Sequence, residues 1–264
     1  MMRLRIIPCL LIHNGGLTKT VRFAEHKYVG DPLNAVRIFN EKLVDELIVL
    51  DIDASRNNAP PDMHLISELA AECRMPLCYG GGVTTCEQIE QIVSLGVEKV
   101  ALSSTAVANP EVIGKAVERV GSQSVVVVMD VKKTGFLRSY EVVTHNGTRK
   151  ASMTPAEFAQ NVQLAGAGEI IVNSVDNDGK MGGYDLKLID LIYGSIEIPM
   201  TVLGGARSLG DVEALGKRYP VIGAAAGSMF IFKGKYRAVL INYPTLDEKR
   251  ELLASVEMHI QEGF

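Results

Sequence analysis

Three kinds of residue in this chain are spaced so that they could do chemistry. The first is a glycine run that occurs twice, each time followed by a small-hydroxyl turn. Gly80-Gly81-Gly82 is followed by Ser103-Ser104, and Gly204-Gly205-Ala206 by Gly227-Ser228. Glycine lets the backbone approach a ligand closely and turn its amide N–H groups on an anion. A lone run would be no more than a tight turn, but two matched copies, each with its serine, point to phosphate. The second kind is the carboxylate. Asp130, directly after an apolar run, is a candidate general acid or base, with a structural pairing to Lys132 as the plain alternative. Asp51, Asp53, Asp176 and Asp178 occupy comparable places. The third is histidine: of five, His13 alone ends an apolar run and so faces the candidate site, while the other four read as surface residues. The acids could hold a metal, yet no histidine lies near them at ligand spacing. The four cysteines (Cys9, Cys73, Cys78, Cys86) form no CxxC pair. No metal and no cofactor is therefore expected. No GxSxG, HExxH or Walker-type run is present.

Residues this far apart need a scaffold that gathers them. Short apolar runs recur along the chain: Arg5–Ile12, Glu46–Leu50, Pro76–Tyr79, Lys99–Leu102, Ser124–Met129, Glu169–Asn173, Pro199–Leu203 and Val221–Ala225. Each is nearly continuous in hydrophobicity, as parallel strands covered on both faces are. Helical patterns such as Pro32–Val44, His64–Cys73, Cys86–Leu95, Pro155–Ala165 and Leu209–Arg218 lie between them. Eight strand–helix units predict a closed (β/α)8 barrel, and 264 residues suit one such domain over the whole chain, 1–264. The halves repeat. DELIVLDID from Asp45 matches GEIIVNSVD from Gly168, and PLCYGGGVT from Pro76 matches PMTVLGGAR from Pro199, the same offset of 123 residues. Leu11 and Asp130 are equivalent ends of the first and fifth strands. In a barrel the catalytic groups and phosphate loops sit at the C-terminal ends of the strands, which places Leu11, Asp51, Asn173 and Asp178 at the mouth too.

Two stretches depart from the alternation. Residues 14–30 show no helical pattern and are long enough for an active-site lid, and Phe136–Arg149 reads as a small added hairpin. The net charge of −4 gives no basic footprint for nucleic acid. The opening apolar run is too short to span a membrane and reads as a strand, so a cytoplasmic protein is expected. The Asn146-Gly147-Thr148 sequon then means no more than a turn.

The stretches RIIPCL, VDELIVLDIDAS, YGGGV, GSQSVVVVMDVK, GAGEIIVNSVDNDGKMGGYD and GGAR, in this order over nearly the whole chain, resemble the cyclase subunit of imidazole glycerol phosphate synthase. The resemblance implies a heterodimer in which a glutaminase docks under the barrel and releases ammonia. The ammonia passes through the barrel to a phosphorylated small molecule at the mouth. It implies one phosphate site at Gly82, Ser103 and Ser104, where the family usually has Asn-Thr in place of the serines, and another at Gly205, Ala206, Gly227 and Ser228. It also implies Asp130 as one of two catalytic aspartates, Lys19 on the mobile loop, and Arg5, Glu46, Lys99 and Glu169 as the charged ring that gates ammonia below. The second catalytic aspartate falls at Leu11, which can move no proton; His13, two residues on, is a partial substitute. A subgroup that also lacks this aspartate is associated with acetamidino-group formation on sugars of surface polysaccharides. The resemblance therefore leaves three expectations: a diverted amidating enzyme, a histidine-pathway lyase, and a silent ammonia conduit.

Overall fold

The computed structural model describes residues 4–136 and 138–262; Met1–Arg3, Leu137, Gly263 and Phe264 lie outside the described residues. Eight parallel strands run in chain order around a closed barrel: β1 (Arg5–His13), β2 (Leu47–Asp51), β3 (Leu77–Gly80), β4 (Lys99–Leu102), β5 (Val125–Thr134), β6 (Glu169–Ser174), β7 (Met200–Leu203) and β8 (Ile222–Ala226). Closure is made by β8 pairing back onto β1, with Arg5 opposite Gly223 and Pro8 opposite Ala226. The helices are α1 (Pro32–Glu41), α2 (Met63–Glu72), α3 (Cys86–Ser94), α4 (Ser104–Ala108), α5 (Glu111–Val120), α6 (Pro155–Leu164), α7 (Leu186–Tyr193), α8 (Leu209–Arg218), α9 (Ser228–Ile231) and α10 (Leu246–Glu262). Among the described residues, no helix is long and apolar enough to cross a membrane.

Local sequence sets where these helices start. Asp31 caps α1 ahead of Pro32, and Thr85 with Gln88 and Thr154 with Glu157 form reciprocal capping boxes on α3 and α6. Alternation along each strand then divides the apolar side chains into two layers. One layer packs outward against the helices. The other, including Ile7, Cys9, Ile48, Cys78, Val126 and Ile171, fills the barrel interior, with Leu11 and Leu50 packed against it. A single strand therefore crosses the barrel: Arg5, Ile7, Cys9, Leu11 and His13 succeed one another on the same face of β1.

Both irregular stretches are antiparallel additions to the barrel. Residues Gly16–Val21 pair with the end of β1, Leu11 opposite Thr18, and with Ala24–Gly30 beyond, so this stretch is a hairpin. Strand β5 does not stop at Asp130. It continues to Thr134 because Ser139–Thr144 pairs with it, Asp130 opposite Val143; the expected hairpin uses the end of the barrel strand as its first arm.

Candidate active site

The glycine runs are built alike. Gly81 and Gly204 have φ of +131° and +96°, and a Cβ on either would lie 2.5 Å from the Asp51 carbonyl oxygen or 2.7 Å from that of Ser174. Gly82 and Gly205 also have positive φ and are backed by the carbonyls of Ala59 and Gly183. The serine turns match as well: Ser103 (φ −123°, ψ −82°) and Gly227 (φ −101°, ψ −72°) share one conformation. Only glycine fits the first pair of positions, because a side chain meets both a forbidden φ and a fixed carbonyl. Gly81→Ala and Gly204→Ala should each cost about 1–3 kcal/mol of backbone strain, with similar losses in denaturant midpoint. A neutral result at either would show that the two turns are not equivalent.

These turns line two adjoining cavities at the mouth. The first is bounded by Gly80–Val83, Ser103, Ser104, Asp51 and Asp130. The second is bounded by Gly204–Ala206, Gly227, Ser228, Lys19 and Asp178. Leu11, Phe23 and Asn173 belong to both, so the cavities are the two ends of one trough.

Asp130 stands at its floor. Asn173 donates an Nδ2 hydrogen bond to Asp130 Oδ1 at 2.8 Å, and the two residues are in register on β5 and β6. Burial is the main reason that the Asp130 carboxyl is raised to about 7, opposed by the Asn173 bond and assisted by the negative charge of Asp178. A carboxyl poised there can give or take a proton near neutral pH. Asn173 Oδ1 is buried and accepts no hydrogen bond within the described protein, leaving an acceptor beside the carboxyl. The corresponding register in the other half pairs Leu11 with Leu50. One half of the floor is therefore a hydrogen-bonded polar pair and the other a leucine pair.

Lys19 sits in the second cavity. Its side chain is buried and Nζ donates to the Cys9 carbonyl at 2.6 Å, and burial lowers the ammonium's pKa. Asp178 accepts from Thr20 Oγ1 (2.7 Å) and from the Phe23 amide (3.3 Å), which ties the hairpin after β1 to the loop after β6. Burial raises the Asp178 carboxyl. Asp51 accepts the amides of Asp53 (2.9 Å) and Ala54 (3.1 Å).

The histidines exchange places relative to expectation. His13 does not line either cavity. Two residues above Leu11, it lies on the rim, where Asp53 holds Nδ1 at 2.7 Å and His26 of the following hairpin stacks on its ring at 4.2 Å. Strand spacing is the reason, since a step of two residues moves a side chain roughly 6–7 Å along the strand; His13 cannot take over at the position of Leu11. His145, read as a surface residue, lines the first cavity together with Asn146, whose Nδ2 reaches the Ile52 carbonyl at 3.0 Å. Sequence reasoning missed both, together with Thr20, Phe23 and Ser55. The available signal was the His145-Asn146-Gly147 turn, in which all three residues have positive φ. Among the described residues no group of three or more His, Cys, Asp or Glu side chains could hold a metal.

At the opposite end of the barrel, Arg5, Glu46, Lys99 and Glu169 form a closed ring. Arg5 donates to Glu46 (2.5 Å) and Glu169 (2.6 Å), and Lys99 donates to the same two carboxylates, each at 2.8 Å. The hydroxyl of Thr201 adds a hydrogen bond to Glu169 at 2.5 Å. The two cations hold the Glu169 carboxyl below its ordinary range against the cost of burial.

A closed, internally duplicated (β/α)8 barrel with a charged ring at one end and paired glycine–serine turns at the other defines the class of this protein. Residues 5–237 match the family model described as "Histidine biosynthesis protein", and the chain belongs to that family. It is 54% identical over 253 residues to a Vibrio vulnificus protein provisionally named imidazole glycerol phosphate synthase subunit hisF3, covering 96% of this chain and 97% of the other. A Leptospira interrogans protein with the provisional name of the HisF subunit is 52% identical, covering 96% and 99%. A Pseudomonas aeruginosa protein provisionally named subunit hisF2 is 51% identical, covering 94% and 98%. The chain is thus a HisF-like barrel of the imidazole glycerol phosphate synthase group.

Proposed function

We propose that this barrel is the ammonia-accepting synthase subunit of a glutamine amidotransferase. A separate glutaminase docks on the face closed by Arg5, Glu46, Lys99 and Glu169, and ammonia enters where that ring parts. A phosphorylated substrate lies in the trough at the other end. Asp130, near its protonation midpoint at neutral pH and positioned by Asn173, handles the proton that nitrogen transfer requires. The reaction is an amidation in sugar or surface-polysaccharide synthesis, diverted from imidazole ring closure. One observation carries this choice: Leu11 lines the cavity of Asp130 and is in register with Leu50, so the position that corresponds to Asp130 in the other half of the barrel holds no carboxylate.

A second reading, the histidine-pathway lyase, is favoured by the complete charged ring, both glycine–serine turns and the names of the relatives. The full-length protein mixed with a compatible glutaminase and supplied with the histidine-pathway ribotide separates the two. Consumption should be slow, and Leu11→Asp should raise it about a hundredfold or more, the scale on which a positioned acid or base acts. Rapid consumption by the unmodified protein would select the histidine pathway instead.

A further inference from the structure

The duplication of the barrel extends to the arm that returns after the first strand of each half. In the first half, Gly16–Val21 runs back down β1 with Thr18 opposite Leu11, which brings Lys19 and Thr20 into the trough. In the second half, Ser139–Thr144 runs back down β5 with Val143 opposite Asp130. Arg149–Lys150 then carries the chain away again beside Val143 and Thr144. An antiparallel arm that begins its return above the mouth ends at the mouth. The residue at the bottom of this second descent is His145, and it lines the first cavity together with Asp130.

The turn holds that ring in place. Thr148 closes it, its amide donating to the Thr144 carbonyl at 3.1 Å and its hydroxyl to the His145 carbonyl at 2.7 Å. Asn146 pins it to the Ile52 carbonyl, on the chain after β2. Nδ1 of His145 lies 3.0 Å from the hydroxyl of Thr144, which is buried, while Nε2 has no hydrogen-bond partner among the described residues. In the tautomer that donates Nδ1–H to that oxygen, Nε2 carries the free lone pair, and the same bond serves once Nε2 is protonated. Burial, with the positive charge of Arg149, lowers the imidazole's pKa and keeps the ring neutral at pH 7. Asp51 and Asp130 are the other ionisable groups of the described lining. Asp51 Oδ1 is already engaged by the amides of Asp53 and Ala54.

We propose that His145 is the base that works with Asp130 in the trough. This rests on the reading of the trough as the place where ammonia adds to a carbonyl carbon. As the lone pair of ammonia forms the carbon–nitrogen bond, the π pair of the carbon–oxygen bond moves to oxygen. His145 Nε2 takes the proton that nitrogen must lose, and the Asp130 carboxyl gives one to the oxygen. The adduct is neutral, and the imidazolium and carboxylate then reset through solvent. One group is held as a free base and the other as an acid near neutral pH, the division that paired proton carriers need. His145 thereby supplies from the hairpin a proton carrier that Leu11 and Leu50 cannot.

Consumption of the histidine-pathway ribotide at constant free ammonia, followed with the full-length protein in excess, tests this. His145→Gln should slow it about a hundredfold. In the unmodified protein the rate should fall below the imidazole's pKa, where Nε2 is occupied, and above about 7, where Asp130 has lost its proton. His145→Gln should abolish the acid limb alone. His145→Gly suits the backbone, whose φ here is +52°, and added imidazole should restore its rate about tenfold or more. A change within about threefold in His145→Gln, or a larger loss with the acid limb intact and no rescue of His145→Gly, would overturn the inference and leave the proposed function standing. No consumption by the unmodified protein would overturn both.

Discussion

Asp130→Asn is expected to lose about 10²–10⁴-fold in kcat for nitrogen transfer while making the folded protein more stable in alkaline buffer. The two effects share one cause. The carboxyl is raised from 3.8 to about 7 by burial in the trough floor, which is the placement a proton-transfer group needs and a placement that ionisation resists. The folded state therefore binds a proton that the unfolded chain has released, and stability falls as pH rises from about 4 to about 7. Above that window the penalty is full; below it there is none. Each unit of displacement corresponds to about 1.4 kcal/mol, and water admitted by the open trough reduces the total, so a penalty of about 2–3 kcal/mol is expected. Asparagine keeps the hydrogen-bonding shape and cannot ionise. Urea midpoints of the unmodified protein and the variant should coincide near pH 4 and separate by pH 8, the variant being the more stable. Equal stability at both pH values would mean that Asp130 is ionised at ordinary carboxylate pH, and its role as a proton carrier near neutrality would fall with that.

Arg5→Ala is expected to be the most damaging single truncation at the lower end, costing about 3–5 kcal/mol. Glu46 and Glu169 have side chains only 6% exposed, and each depends on Arg5 and Lys99 together. Removing Arg5 leaves two buried carboxylates with one ammonium between them, and the loss is the stranded charge more than the missing bonds. The pH dependence follows from the depressed Glu169 carboxyl. Its pairing stabilises the fold above the unfolded carboxylate range near 4.3, and that contribution disappears as pH falls through the lower folded value. The unmodified protein and Arg5→Ala should therefore converge in acid and differ most at neutral pH. The ring should also become leaky, so that externally supplied ammonium salts support turnover at lower concentration than with the unmodified protein. A loss under 1 kcal/mol at pH 7 would show that water already shares the ring, as it does for exposed ion pairs.

Much of this molecule is legible in its residues because the information is local or repeated. Continuous apolar runs mark strands covered on both faces, glycine pairs mark turns that no side chain can enter, and a half-chain offset links Gly81 with Gly204 and Glu46 with Glu169. Local signals were weaker where pairing decides. The strand through Asp130 runs on to Thr134 only because Ser139–Thr144 lies beside it, and the stretch after His13 is a hairpin only because β1 offers its end.

The chemical nature of the trough floor was settled by composition and order: an aspartate and an asparagine at equivalent strand positions in one half, two leucines in the other. Which histidine lines the cavity was a tertiary matter. His13 is lifted to the rim by two residues of strand rise, and His145 is folded inward by a turn. The place of Lys19 in the second cavity likewise belongs to the folded state, because it reaches Gly227 across more than two hundred residues of chain. Periodicity and glycine act over a few residues and survive in any reading of the chain, whereas a buried charge acts through space and takes its neighbours only from the closed barrel.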